Sequence, residues 1–145
     1  MLLATAESTE SLGRALAAEL RPGDVVALFG NLGAGKTTFT RGLLQGLGFG
    51  GDVGSPTFPI VQTYEDLRPP IWHVDLYRIE DPEETIELGL DEARADAALV
   101  IEWPERLGRY LWQDALQLHL AVAPGGERSL TARVPPAWES RWPPR

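Results

Sequence analysis

The most constraining feature of the sequence is a glycine-rich stretch, residues 30–38, that follows an apolar run and precedes a helical pattern. Its letters, GNLGAGKTT, match G-x-x-x-x-G-K-[ST] at every fixed position. In such a loop, backbone N–H groups turn towards a polyphosphate and the lysine reaches its β- and γ-phosphates. The Thr37 hydroxyl would bind Mg²⁺. We call residues 30–38 the glycine loop.

Lys36 is the only lysine among 13 basic residues. A chain that uses arginine everywhere else has an ammonium group at the one position where a compact point charge suits a phosphate. The alternative is a turn that caps a helix, with Lys36 in solvent.

The chain of 145 residues has the length of one domain. It has no cysteine, which excludes disulfides and thiol chemistry. Its net charge of −8 argues against direct, non-specific binding of nucleic acid, so any RNA would be reached through a partner. With no membrane-length apolar stretch and no signal-peptide pattern at the N-terminus, we expect a cytoplasmic protein.

The order of apolar patterns predicts an α/β fold. We expect a single-domain P-loop NTPase with a mostly parallel central sheet, flanking helices and a C-terminal antiparallel hairpin, in residues 1–134. Residues 135–145 form a tail with prolines and tryptophans, loose or docked on the surface. The expected segments are a helix capped by Ser8 or Thr9, a strand at 25–29, a helix from Lys36, strands at 60–64 and 71–76, helices at 81–88 and 90–95, a strand at 97–101, and strands at 116–122 and 129–134.

Two acids follow apolar runs and are candidates for work beside the loop. Asp75 ends one run and Glu102 ends another, where the carboxyl ends of parallel strands lie close to a bound ligand. Spacing does not decide which acid binds Mg²⁺ and which orients water. Thr57, on the segment after the loop helix, is a candidate sensor of the γ-phosphate.

The histidines and the lone asparagine refine this hypothesis. His73 lies two residues before Asp75, so it would orient that acid or simply pack, whereas His119 should face solvent. Asn31 is the only asparagine, so an Asn-Lys-x-Asp guanine-reading motif is absent and ATP is the expected nucleotide. A small-molecule kinase and a nucleotide-dependent binding module remain alternatives.

The ordered motifs resemble those of the bacterial TsaE (YjeE) ATPases, which act in the threonylcarbamoyladenosine (t6A) pathway of tRNA modification. The resemblance covers roughly residues 8–134. One departure is Asn31, where the family usually has Asp or Glu, and the tail has no clear counterpart. The shared motifs are the glycine loop, SPTF at 55–58, HVDLYR at 73–78, DPEE at 81–84, Gly89 and IEWP at 101–104.

The resemblance implies an ATPase that works with TsaB and TsaD proteins and reaches tRNA, at adenosine 37 of ANN-reading species, only through them. It also implies roles by position. Thr37 and Glu102 would bind Mg²⁺, Lys36 would hold phosphate, and Asp75 would be a second acid for hydrolysis. Thr57 would belong to a switch. The expected nucleotide contacts are Thr9, Asn31, Leu32, Gly33, Ala34, Gly35, Lys36, Thr37, Thr38, Trp103 and Arg128.

Overall fold

A computed structural model describes residues 1–31, 33–53 and 60–144 of the chain. It contains one seven-stranded sheet with helices packed against it, which confirms the predicted α/β class. The expected site residues Leu32 and Thr57 lie outside the described residues, as does the SPTF segment. Within the described ranges, no helix is long and apolar enough to cross a membrane.

The strands follow the order β1-β7-β6-β2-β5-β4-β3 across the sheet. The four central strands β6, β2, β5 and β4 are parallel, and the outer strands pair antiparallel with their neighbours. The strands are β1 (Leu2–Leu3), β2 (Val25–Phe29), β3 (Val61–Tyr64), β4 (Ile71–Asp75), β5 (Ala98–Glu102), β6 (Leu116–Val122) and β7 (Arg128–Arg133). The C-terminal hairpin is therefore part of the main sheet.

Strands β2 and β5 are the most buried elements. Four of the five β2 residues and all five β5 residues are buried. Apart from Glu102 at the end of β5, both segments are continuous apolar runs, as expected of strands covered on both faces of a parallel sheet. Alternate side chains enter two hydrophobic clusters, with Val26 in one and Val25 in the other. The carboxyl end of β2 thus leads rigidly into the glycine loop.

Two helices cover one face of the sheet. They are α1 (Ala6–Ala17) and α2 (Lys36–Gly46). The predicted caps of α1 were wrong: the N-cap is Thr5, whose hydroxyl accepts a hydrogen bond from the Ser8 N–H at 3.1 Å. Thr9 instead lies one turn inside the helix and is buried.

The other face carries shorter helices. A 3₁₀ helix, Pro82–Leu88, begins after the N-cap Asp81 and ends at Gly89, as the sequence predicts for its bounds. It is followed by α3 (Leu90–Ala93), and a second 3₁₀ helix, Pro104–Tyr110, follows β5. The 3₁₀ helix Pro136–Trp138 lies in the tail.

The tail is docked more deeply than a surface contact. Trp138 is fully buried in the cluster that also contains Phe39. Arg141 holds the segment by a two-pronged ion pair with Asp24, at 2.6 and 3.0 Å. Residues 135–144 therefore contribute to the core rather than lying loose.

Candidate nucleotide-binding site

The glycine loop begins directly after β2, and its backbone adopts conformations that favour glycine. Gly30, Gly33 and Gly35 have φ values of 149°, 82° and 106°. A side chain at Gly30 would also collide with the Leu120 carbonyl, 2.6 Å from an added Cβ. Close packing against β6 thus fixes where the loop begins, and left-handed Gly35 turns the chain into α2.

Lys36 is buried at the start of α2. Its side chain is only 4% exposed, and its Nζ has no hydrogen-bond acceptor among the described residues. The ammonium instead lies 3.9 Å from the centroid of the Trp103 ring. Burial lowers the pKa of Lys36, although the nearby carboxylates of Glu102, Glu105 and Asp75 oppose this shift. An anionic ligand would stabilise the charged form of an ammonium group buried in this way.

The two candidate acids end neighbouring parallel strands. Asp75 of β4 and Glu102 of β5 are register partners, and Glu102 is in turn paired with Leu28 at the end of β2. The sheet therefore brings both carboxylates to the edge from which the glycine loop departs. This juxtaposition follows the expectation for the carboxyl ends of parallel strands.

Glu102 is buried and hydrogen-bonded to a histidine. It is 2% exposed, and its Oε2 lies 2.6 Å from His73 Nε2. Of the two alternatives for His73, orienting Asp75 or simply packing, neither describes its contact, because the imidazole is hydrogen-bonded to Glu102. His73 and Asp75 lie on the same face of β4, but the register between β4 and β5 places the imidazole next to Glu102 of the neighbouring strand. Sequence periodicity holds no information about that register.

Asp75 is half-buried and has a different environment. Its Oδ1 accepts a hydrogen bond from the Tyr77 N–H at 3.0 Å. Burial raises the pKa of Asp75, and the nearby Glu102 raises it further. The Tyr77 N–H, His73 and Lys36 act in the opposite direction. The two acids are thus chemically distinct, because one is held by a histidine and the other by a backbone N–H.

Trp103 lies beside the site in an uncommon backbone conformation. Its φ of 57° and ψ of 49° are left-handed, which is rare for a bulky residue. The ring packs at a tilt against Tyr77, with centroids 5.0 Å apart, and covers the Lys36 ammonium. Tyr77 was not predicted as a site residue. Its position two residues after Asp75 was the available signal.

Thr9 and Arg128 border the glycine loop from the other side. Arg128 Nη2 donates to the Gly33 carbonyl at 3.0 Å, and Nη1 donates to Gly126. An added Cβ at Gly35 would lie 3.6 Å from Thr9 and 3.7 Å from Arg128. Both residues thus lie beside the glycine loop, and their contact with a nucleotide stays a prediction.

The remaining predicted contacts lie on the loop itself. Asn31 is exposed, and its carbonyl accepts from the Ala34 N–H at 3.1 Å. Thr37 and Thr38 are half-buried in the first turn of α2. His119 is exposed, as predicted, and its ring stacks on Phe29 at 4.3 Å.

Comparison with known proteins agrees with the motif pattern. The family model described as "Threonylcarbamoyl adenosine biosynthesis protein TsaE" matches residues 3–130. The chain is 48% identical over 140 residues to the tRNA threonylcarbamoyladenosine biosynthesis protein TsaE of Streptomyces coelicolor, an alignment spanning 85% of this chain and 95% of the relative. The Bacillus subtilis protein of the same name is 43% identical over 126 residues, or 86% of this chain and 78% of the relative.

A solved structure shows the same fold. The crystal structure of Bacillus subtilis YdiB superposes with a TM-score of 0.82 at 34% sequence identity. The match covers 97% of this chain and 88% of that one. The chain therefore belongs to the TsaE family of threonylcarbamoyladenosine biosynthesis proteins.

Proposed function

We propose that this protein binds and hydrolyses ATP, and that it acts in threonylcarbamoyl modification of adenosine 37 in ANN-reading tRNAs. The observation that carries the ATP-binding proposal is the buried Lys36 ammonium at the mouth of a glycine loop, without a hydrogen-bond acceptor in the described part of the chain. A buried cation in this state favours a polyanion. The family membership supports the tRNA pathway.

Lys36 and the loop N–H groups would hold the phosphates and stabilise the charge that develops during transfer of the γ-phosphoryl group to water. Of the two acids, Asp75 is the better candidate for orienting that water. Its half-buried carboxylate is accessible, and burial raises its pKa, which favours acceptance of a proton from water.

The oxygen donors fit Mg²⁺. No group of three or more Asp, Glu or His side chains in the described ranges forms a closed metal site. Mg²⁺ commonly takes only one or two protein oxygens and completes its shell with phosphate and water. Thr37 and Glu102 would supply those oxygens, and the ion would neutralise phosphate charge that the two carboxylates otherwise repel.

We further propose that the protein acts on a complex of TsaB and TsaD in the cytoplasm, and that hydrolysis is weak without them. The net charge of −8 favours contact with tRNA through these partners rather than directly. ATP binding and hydrolysis would reset the complex between turnovers.

The test measures ATP hydrolysis and ATP binding by the full chain with TsaB and TsaD present. Lys36→Ala and Glu102→Ala should each lower turnover by about 100-fold or more. Glu65→Ala, in an exposed turn, is the control and should leave it unchanged. Undiminished turnover in both site variants would refute the proposal.

The same assay separates the alternatives. ADP release stimulated by nucleosides or sugars, but not by TsaB and TsaD, would indicate a kinase. Nucleotide-controlled assembly without single-turnover hydrolysis would indicate a binding module.

A further inference from the structure

A cavity of about 310 Å³ lies on the sheet face opposite α1 and α2. It is formed by the 3₁₀ helices Pro82–Leu88 and Pro104–Tyr110, by α3 and by the residues after Tyr110. Leu90 and Leu107, both buried members of the second hydrophobic cluster, form its apolar base. The lining residues are Thr85, Ile86, Leu90, Asp91, Glu92, Leu107, Tyr110 and Trp112. We call this cavity the acidic groove.

The aromatic walls of the acidic groove are fixed by hydrogen bonds. Trp112 Nε1 donates to Asp91 at 2.6 Å, and the Arg94 guanidinium lies 5.4 Å from the Trp112 ring. The Tyr110 hydroxyl donates to Glu83 at 2.8 Å. These contacts hold both rings in place, so a ligand would meet preformed walls.

The two helices that shape the groove approach each other closely. Gly108 has a φ of 54°, and an added Cβ there would lie 3.0 Å from Cγ of Pro82. Glycine is therefore needed where the Pro104–Tyr110 helix crosses the start of the Pro82–Leu88 helix. The shape of the groove is therefore set by the close packing of these two helices.

An apolar side chain stands at the rim. Ile86 is 59% exposed, although it lies between glutamates in the Pro82–Leu88 helix. A water-exposed isoleucine side chain buries little apolar surface and so contributes little to the stability of the fold. An exposed apolar residue beside an apolar groove is typical of a protein-binding surface.

The rim is strongly acidic. Residues 80–92 carry seven of the chain's 21 acids and no basic residue: Glu80, Asp81, Glu83, Glu84, Glu87, Asp91 and Glu92. Arg109 neutralises one of them through its ion pair with Glu83. The nearby Arg94 is itself paired with Asp114. A ligand of positive charge would therefore be favoured here, and a nucleic acid would be repelled.

We propose that the acidic groove binds a segment of a protein partner that places an apolar side chain over Leu90 and Leu107 and basic side chains against the acidic rim. The apolar side chain of the partner would pack against the apolar base of the groove, and its basic side chains would complement the charge of the acidic rim. The identification of that partner with the TsaB–TsaD complex rests on the proposed function.

The groove is connected to the candidate site through the chain. The Pro104–Tyr110 helix begins one residue after Trp103, and it supplies Leu107 and Tyr110 to the groove. A partner seated there would contact the segment that leads directly from Glu102. This continuity gives a partner a physical route by which to affect the site.

The test uses full-length protein and two probes. One is the purified TsaB–TsaD complex, and the other is a labelled synthetic helical peptide with leucines on one face and arginines on the other. Ile86→Ser and Glu92→Arg should each weaken binding of both probes by about tenfold. Both residues are exposed, so the variants should fold, which circular dichroism and calorimetric ATP binding would verify. The matched control is Glu139→Arg, an exposed acid beside Trp138 of the opposite-face cluster.

The outcomes distinguish this inference from the proposed function. Groove-dependent binding of the peptide supports the groove even if wild-type protein does not bind TsaB–TsaD, a result that would contradict the proposed partner. Wild-type affinity for both probes in the two groove variants would overturn the inference and leave the proposed function intact. So would equal weakening by Glu139→Arg, or binding of tRNA that the Ile86→Ser substitution abolishes.

Discussion

At the residue scale, the site consists of a buried cation and two acids of unequal environment. Lys36 is 4% exposed and Glu102 is 2% exposed, whereas Asp75 is half-buried. Burial of charge is costly unless hydrogen bonds and opposite charges compensate for it. His73 contributes to that compensation for Glu102, and the Trp103 ring face contributes to it for Lys36.

Replacing His73 by Leu should lower the free energy of unfolding by about 2–4 kcal/mol. The substitution removes a hydrogen-bonding partner 2.6 Å from a buried carboxylate and substitutes an apolar side chain of similar size. Urea denaturation measures the change. His119→Leu is the matched control: its exposed ring stacks on Phe29 but contacts no buried carboxylate, so the change should cost less than about 1 kcal/mol. An equal loss in both variants would contradict the assigned role.

Replacing Asp75 by Asn should stabilise the protein near neutral pH and abolish ATP hydrolysis. Burial raises the pKa of Asp75, so the folded state favours the protonated carboxyl, and this stabilisation is lost as pH rises through the folded-state pKa. Asparagine keeps the acceptor for the Tyr77 N–H but carries no charge. The stability gain over wild type should therefore grow as the pH rises from about 4, near the pKa of an unfolded-state Asp, through the raised folded-state pKa towards neutral pH.

Thermal unfolding across that pH range provides the measurement, with Asp66→Asn in an exposed turn as the control. A gain of about 2 °C in Tm at neutral pH is expected for Asp75→Asn. A margin over wild type that stays constant with pH would show that burial of the charge is not its cause.

At the element scale, α1 and α2 approach each other through reciprocal glycines. A Cβ added to Gly13 of α1 would lie 2.2 Å from the Phe39 carbonyl oxygen, and one added to Gly42 of α2 would lie 2.0 Å from that of Glu10. Both contacts are with backbone, which cannot rotate away. The close crossing fixes α2, whose first residue is Lys36.

Replacing Gly42 by Ala should therefore destabilise the protein by about 2–3 kcal/mol, measured by urea denaturation. In an ordinary helix interior, replacing Gly by Ala raises the free energy of unfolding by about 0.5–1 kcal/mol. The sign of the change in stability therefore tests whether the two helices pack as closely as described. Gly50→Ala is the matched control, because an added Cβ there meets nothing within 4 Å. A stabilised Gly42→Ala variant would contradict the close helix crossing.

At the scale of the whole molecule, the C-terminal segment completes the core. Trp138 is among the largest fully buried side chains, and the Arg141 guanidinium lies 3.9 Å from its ring. The same arginine pairs with Asp24, just before β2. The end of the described chain is thus tied to the strand that leads into the glycine loop.

Replacing Trp138 by Ala should lower the free energy of unfolding by about 3–5 kcal/mol, because it leaves a large cavity in the core. Urea denaturation again gives the measurement. The neighbouring Glu139→Ala, an exposed position, should have a small effect. If the two variants were equally stable, the tail would not be part of the core.

The sequence by itself determined the glycine loop, the buried strands β2 and β5, the helix that starts at Lys36 and the placement of Asp75 and Glu102 at the ends of strands. These are local properties. A motif, a continuous apolar run and a residue's position at the end of a run are encoded by neighbours in the chain.

The tertiary structure alone decided that His73 contacts Glu102 rather than Asp75, that β6 lies beside β2, and that Trp138 enters the core. Each of these features depends on strand register or on contacts between distant segments. The hydrophobic periodicity of a strand is the same whatever its register and whichever strand it pairs with, so it does not predict them. The short β1 was likewise beyond prediction, because two residues carry no detectable alternation and their partner strand, β7, lies near the other end of the chain.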